Sequence, residues 1–251
     1  MMSLPLVSII MPTYNSEHTL EESINSVLSQ TYINWELIIT DDCSDDLTQE
    51  ILKKYSEYER RIKFFVNEVN MGAGFSRNRS IDAAEGDYIA FLDSDDLWLP
   101  EKLEKQINFM SNNNYALTYT AYRKIDEKGN VIGKFIPPIV TTYNKLLYSN
   151  VIGCLTAIYD ARILGKCYMP LIRKRQDMAL WLDILKNYPE AHCLQEELAL
   201  YRISRNSISS NKVKILKHQW FFYRNVLGFG YIKSIFYFSI YAQKGLIKFL
   251  N

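Results

Sequence analysis

Asp93-Ser94-Asp95 sets two carboxylates two residues apart, directly after the apolar run Asp87 to Leu92. In extended backbone, residues two apart point the same way. Such a pair can share one hard divalent cation, Mg²⁺ or Mn²⁺, which prefers oxygen ligands. Alone, an Asp-x-Asp is more often a solvated loop or a helix cap. Here a second acidic group, Asp41-Asp42-Cys43-Ser44-Asp45-Asp46, closes another apolar run, Trp35 to Thr40. Asp45 or Asp46 suffices to cap a following helix, which leaves Asp41 and Asp42 without that duty. A carboxylate in such a place can accept the N–H of a nucleobase, and its neighbour can accept ribose hydroxyls. A third polar cluster, Thr13 to Glu17, follows Val7 to Met11.

These clusters need elements that bring them together. Val7 to Met11, ended by Pro12, reads as a strand buried on both faces. Leu20, Ile24, Val27 and Leu28 recur at helical spacing, which predicts a helix over Leu20 to Gln30. Trp35 to Thr40 is a second buried strand, Leu47, Ile51 and Tyr55 mark a second helix, and Ile62 to Val66 is a third strand. The loop Asn70 to Gly74 opens a third helix ending near Gly86, and Asp87 to Leu92 is a fourth strand. The alternation predicts an α/β fold, a mostly parallel sheet flanked by helices. Ligands bind such sheets beyond the carboxyl ends of the strands, where all three polar clusters fall. Past residue 100 the spacing gives a helix over Lys102 to Asn112, a strand over Tyr115 to Tyr122 and a hairpin turn at Asp126 to Asn130. Cys154 to Tyr159 reads as another strand. Gln176 to Asn187 reads as a helix with Trp181, Ile184 and Leu185 inward, and the tail from Lys212 is helical.

With 48% hydrophobic and 23% charged residues in 251, the chain is neither disordered nor collagen-like. Cys43, Cys154, Cys167 and Cys193 form no CxxC pair, as expected of reduced thiols in a cytoplasmic protein. The apolar N-terminus lacks a preceding basic region and carries Pro5 and Pro12, so it reads as a strand rather than a signal peptide. No uncharged apolar run reaches the roughly 18 residues of a membrane span. The net charge of +1 hides an asymmetry: no Asp or Glu follows Glu197, whereas nine Lys or Arg do. An acidic body joined to a basic tail suggests an anionic surface as partner.

Gly72-Ala73-Gly74-Phe75-Ser76-Arg77 imitates a dinucleotide fingerprint and fails it. Arg77 stands where the third glycine belongs, and the loop follows the third strand rather than the first. The GxxxxGK[ST] phosphate loop is absent too. Nicotinamide dehydrogenases and P-loop kinases are thereby excluded.

Taken in order, VSIIMPTYN, WELIITDDCSDD, NMGAGFSRNRSID, GDYIAFLDSDDLWLPEKL and RQDMALWLDIL resemble a family 2 glycosyltransferase with the GT-A fold, from about Val7 to Ile208. The resemblance implies a GT-A domain over residues 1–209, with a donor half to about residue 100, an acceptor half over 101–209, and a helical appendage over 210–251. Pro12, Tyr14 and Glu17 match the first nucleotide-contacting segment, and Asp41 and Asp42 the acidic pair for base and ribose. Arg77, Asp93 and Ser94 join the donor set. Asp93 and Asp95 match the metal motif, Asp95 being the direct ligand of Mn²⁺ or Mg²⁺. Asp177 matches the catalytic base of an inverting displacement, although Gln176 precedes it where many members carry an acid. From its own position alone, Asp177 reads more readily as a carboxylate favoured at a helix N-terminus. Tyr201 to Ser209 resembles a loop after the catalytic segment; its Arg202 and Arg205 suit a diphosphate, or else form a positive surface near a membrane.

The implied reaction moves a sugar from a nucleotide donor, a UDP-sugar, to a glycan. The implied setting is bacterial surface-polysaccharide synthesis, with a polyprenyl-diphosphate-linked acceptor at the cytoplasmic membrane face. Between Trp220 and Tyr241 lie ten aromatic residues with Arg224 and Lys233 among them, a composition suited to a membrane interface or to packing on the body or a second subunit. Nucleic acid is not an expected partner, because the acidic body repels a phosphate backbone; oligomeric state is left open. Two other classes share parts of this pattern. A sugar-phosphate nucleotidyltransferase usually opens with a glycine-rich basic loop that is missing here, and an inactive nucleotide-sugar-binding protein has only Gln176 in its favour.

Overall fold

The structure is a computed structural model and describes residues 4–203 and 212–250. Strand β1 (Val7–Thr13) is the pivot, all seven of its residues buried, as its unbroken apolar run requires. It pairs in parallel with β2 (Trp35–Asp41) on one side and β4 (Tyr88–Phe91) on the other, and β3 (Ile62–Val66) adds in parallel to β2. Helices α1 (Leu20–Leu28), α2 (Thr48–Tyr58) and α3 (Ala73–Ala83) connect these strands.

Pro12 sits inside β1 without breaking it, and the register explains how. Pairing with β4 runs only from Val7 to Ile10, closed by the Leu92 N–H donating to the Ile10 carbonyl at 3.1 Å. Pro12 has the same parity as Ile10 and faces the same side, where β4 has already ended. Its missing N–H therefore costs no ladder bond. Beyond that point β1 stays with β2 alone, and the sheet opens between Pro12 and the Asp93 loop.

The remaining strands are β5 (Leu97–Trp98), β6 (Leu117–Ile125), β7 (Val131–Phe135), β8 (Val140–Thr142), β9 (Ile158–Asp160) and β10 (Glu190–Arg202). Among the described residues all strands join one sheet ordered β3-β2-β1-β4-β9-β6-β10-β5, with β7 on β6 and β8 on β10. The half carrying the acidic clusters is parallel. From β9 onward the sheet is mixed, because β9 runs antiparallel to both β4 and β6. The Asp126 turn joins β6 to β7 as expected.

Two segments differ from their sequence reading. Cys154–Thr156 is a 3₁₀ turn, and only Ile158–Asp160 after it is strand; the Trp98 indole donates to the Leu155 carbonyl at 2.7 Å and holds the turn. β10 escaped the pattern because Gln195-Glu196-Glu197 interrupts its apolar alternation. The strand absorbs them in register shifts around Glu197, which then pairs with Arg123 at 2.6 Å.

The core lies on both faces of the sheet. Val7, Ile9 and Met11 face α1, α2 and α4 (Lys102–Asn113). Ile10 and Phe91 face α5 (Tyr143–Tyr148) and α7 (Gln176–Asn187), where Trp181 meets Phe91 edge-on at 5.5 Å. A short α6 (Ala161–Leu164) follows β9. The tail forms α8 (Lys212–Phe221), a π-helical turn at Phe222–Val226, and α9 (Tyr231–Leu250). Phe222, Tyr223 and Phe229 are buried in the same cluster as Leu146, Leu147 and Trp181. Tyr223 donates to the Leu147 carbonyl at 2.6 Å.

Candidate active site

Where the sheet opens, a cleft of about 780 Å³ is lined by Pro12, Tyr14, Asp42 and Arg77, with Asp93, Ser94, Asp95 and Arg202 opposite or beneath them. The three acidic or polar clusters are thus brought to one edge, as the strand-end rule requires. Among the lining residues, Asn15 has a positive φ of 47°. Conformations of that kind cost about 1–3 kcal/mol each and persist where surrounding contacts enforce them.

The Asp93 loop is held from below. Arg77 of α3 donates from Nη2 to Asp93 at 2.5 Å and from Nη1 to the Gln176 side-chain carbonyl at 3.0 Å. Burial opposes the Arg77 charge, but Asp93 beside it keeps the guanidinium above its ordinary pKa. Ser94 shares a 2.9 Å hydroxyl contact with Ser16, tying the acidic loop to the first polar cluster. Asp96 is buried and accepts from the Arg202 backbone N–H at 2.8 Å, so it is a structural member of the loop. Asp95 opens its carboxyl onto the cleft. Desolvation by the walls around it, then the charge of Asp93, pushes that carboxyl up to about 6.

Asp41 and Asp42 are buried and engaged with protein donors. Asp41 accepts from the Ser44 backbone and hydroxyl and from Gln49. Asp42 lines the cleft, accepting from Asn67 and Met71 at 2.8 Å and from the Gly72 N–H at 2.7 Å. Gly72 enters α3 with φ of 88°, a conformation that favours glycine. Glu17 lies outside the cleft lining; its carboxylate accepts from the Leu47 N–H at 3.1 Å at the start of α2. Tyr14 is half exposed at the cleft rim.

Asp177 occupies the first turn of α7 and accepts from Asn150 at 2.9 Å. It does not line the same cleft. It reaches the cleft through its neighbour, since Gln176 holds Arg77 and Arg77 holds Asp93. Cys154 lies in the fields of Arg77, Asp93 and Asp177, and burial together with those carboxylates keeps its thiol protonated. Arg202 ends β10 with its guanidinium on Glu22 and on the carbonyls of Asp95 and Glu127. In this arrangement it braces the acidic loop from the cleft wall. Arg205 lies outside the described residues.

Asn150, Gln176 and Cys154 were not assigned roles from the sequence. Asn150 stands in an unpatterned stretch and carries no motif. Gln176 differs from the acid common in similar sequences, and that departure was the available signal.

Asp93 and Asp95 offer hard carboxylate oxygens to one cleft. Among the described residues no three His, Cys, Asp or Glu side chains converge as a self-contained metal site. Two carboxylates with an open side fit a divalent cation that takes its other ligands from a diphosphate and water.

Comparison with known proteins follows this geometry. Residues 8–164 match the profile of Glycosyl transferase family 2. The chain is 48% identical over 249 residues to the Escherichia coli UDP-Glc:alpha-D-GlcNAc-diphosphoundecaprenol beta-1,3-glucosyltransferase WfgD, covering 97% of this chain and 94% of that protein. It is 43% identical over 245 residues to the Bacillus subtilis glycosyltransferase TuaG, named for teichuronic acid biosynthesis, covering 97% of each. The mannosyltransferase PcManGT of Pyrobaculum calidifontis, solved with GDP-Man and Mn²⁺, superposes with a TM-score of 0.70 at 16% identity, over 91% of this chain and 66% of that one, and shares the fold. With the strand-end cleft and these matches together, the chain belongs to glycosyl transferase family 2 and is a glycosyltransferase.

Proposed function

We propose that the enzyme transfers a sugar, with inversion, from a UDP-sugar to a lipid-linked sugar acceptor at a membrane surface. The observation that carries this reading is the hydrogen-bonded line Asp93–Arg77–Gln176, which couples the acidic cleft to the helix whose next residue is Asp177. The donor class and the diphospholipid acceptor follow the name of the 48% identical WfgD.

The first hundred residues hold the donor and residues 101–209 the acceptor. Pro12, Tyr14, Asp42 and Ser94 border the nucleotide, with Asp41 and Glu17 fixing the loops behind them. Asp93 and Asp95 would hold Mn²⁺ or Mg²⁺, which when bound neutralises charge developing on the leaving diphosphate. Arg77 keeps Asp93 oriented, and Arg202 with Arg205 supports the diphosphate side of the cleft. Asp177, oriented by Asn150, takes the proton of the acceptor hydroxyl as its oxygen forms a bond to the sugar's anomeric carbon. The bond from that carbon to the diphosphate oxygen breaks, and UDP leaves with the electron pair.

The test is turnover of UDP-glucose, UDP-GlcNAc and GDP-mannose against GlcNAc-diphosphoundecaprenol, with Mn²⁺ or EDTA. The expected product is a disaccharide-lipid with inverted anomeric configuration, formed from a UDP-sugar only with the cation. Transfer that is unaffected by Asp177→Asn would overturn the assignment of the base.

A further inference from the structure

At 100° per residue, Tyr231, Ile232, Ile235 and Phe236 of α9 fall on one arc about 140° wide. They are 68%, 88%, 55% and 53% exposed. The opposite arc is spent on the body. Ser234 is buried, Tyr237 lies 5.7 Å from Phe229 and 5.3 Å from Tyr148, and Phe238 meets Trp220 edge-on at 5.5 Å. The helix therefore has one apolar side covered by its own chain and a second left to solvent. Four large apolar side chains on consecutive turns mark an interaction surface rather than scattered exposure.

The charge around this arc selects the occupant. Arg224 places its guanidinium 3.8 Å from the Tyr231 ring, and Lys233 places its ammonium 4.0 Å from the Phe229 ring. No acidic residue follows Glu197 in the sequence. A second copy, joined by a two-fold axis, would bring a second basic border into the same interface with no acidic residue of either tail to offset it. Anionic headgroups complement them, and an apolar arc bordered by basic residues is how a helix lies in a bilayer interface. Among the described residues no helix is long and apolar enough to cross a membrane.

We infer that the outer arc of α9 seats the enzyme on an anionic lipid bilayer. Ile232, Ile235 and Phe236 enter the acyl boundary, with Tyr231, Lys233 and Arg224 at headgroup level. The same helix is joined to the acceptor side of the site. Tyr241 receives a hydrogen bond from Arg175, two residues before Asp177. Tyr148, against Tyr237, stands two residues before Asn150, the partner of Asp177. The exposed arc and the Asp177 end of the site are thus linked through one helix. The arc's use rests on the lipid-linked acceptor of the proposed function, but the binding can be measured without any acceptor.

The test is co-sedimentation of the full chain with vesicles of phosphatidylcholine alone or mixed with phosphatidylglycerol, at low and high salt. Wild type is expected on the anionic vesicles and not on the neutral ones, with release by salt. Ile232→Ser/Ile235→Ser/Phe236→Ser is expected to weaken binding by about tenfold or more, and Lys233→Glu to weaken it chiefly at low salt. Unfolding curves and transfer to a water-soluble acceptor analogue should match wild type in both variants. Equal vesicle binding by wild type and the triple variant would overturn the inference. So would wild type that ignores both vesicles, or a dimer that the triple variant dissolves. Loss of vesicle binding with transfer intact separates this inference from the proposed reaction.

Discussion

Arg77 and Gln176, separated by 99 positions in the chain, are joined by a hydrogen bond of 3.0 Å from Nη1 to the side-chain carbonyl. A neutral acceptor leaves the Arg77 charge directed at Asp93, 2.5 Å from Nη2. An acid at position 176 would compete for that charge.

Gln176→Ala should therefore loosen Asp93 as well as α7. The buried Nη1 would keep only the distant Met169 sulfur, at 4.0 Å, and an unmet donor of this kind costs about 1–3 kcal/mol. Urea unfolding and kcat/KM for the UDP-sugar should both fall. Gly74→Ala presses on the same contact, because a Cβ there would lie 3.1 Å from the Gln176 amide. A Gln176→Ala protein with unchanged stability and turnover would show that the bond does not position the loop.

Asp95 sets a pH dependence. Its carboxyl is pushed up to about 6 in the folded chain, above the ordinary aspartate range, so the fold holds that proton more tightly than the unfolded chain does. The stability of the cation-free protein should consequently fall as pH rises from about 4 through about 6, and Asp96, also raised by burial, adds in the same direction. Cation binding needs the ionised form and should strengthen over the same window. Thermal unfolding below and above pH 6, with and without Mn²⁺, reads both effects, and Asp95→Asn should flatten the response. A Tm rising with pH through that window without cation would contradict the assignment.

Asp177 and Asn150 should separate chemistry from binding. Asp177→Asn removes the proposed general base, and the expected loss in kcat is about 10²–10⁴-fold, with UDP affinity by calorimetry unchanged. Asn150→Ala leaves the carboxylate but removes its 2.9 Å donor; the expected loss in kcat is smaller, about tenfold, with donor KM unchanged. A rise in donor KM without a change in kcat would assign Asn150 to the donor instead.

The C-terminal segment should prove necessary to the fold. Tyr223 is fully buried with its hydroxyl on Leu147, so Tyr223→Ala should cost about 3–5 kcal/mol and Tyr223→Phe about 1 kcal/mol. Differential scanning calorimetry of the two variants gives the comparison directly.

The parallel half of the sheet was legible because each of its strands is a short apolar run followed by acidic or polar residues, and burial on both faces writes itself into such runs. The position of the Asp93 loop followed from that pattern alone. β10 was not legible: its long pairing is interrupted by three polar residues that the strand accommodates by slipping register. The partners of the site were hidden for a different reason. Asn150 reaches Asp177 across 27 positions, and local spacing says nothing of such contacts. Arg77 reads in the sequence as the residue that spoils a glycine motif and, by resemblance, as one of the donor set; only tertiary contact reveals it as the tie between Asp93 and Gln176.

The burial of Phe222, Tyr223 and Phe229 among Leu146, Leu147 and Trp181 also orders events during synthesis. The pairings among β1, β2, β3 and β4 lie within the first hundred residues and can form early, whereas both faces of those strands are covered only once α4, α5 and α7 follow. The acceptor side has to wait, its apolar surface bare until residues 222–229 emerge. Those residues are followed directly by α9, so the segment that closes the core on this side also leads into the helix that carries the exposed arc.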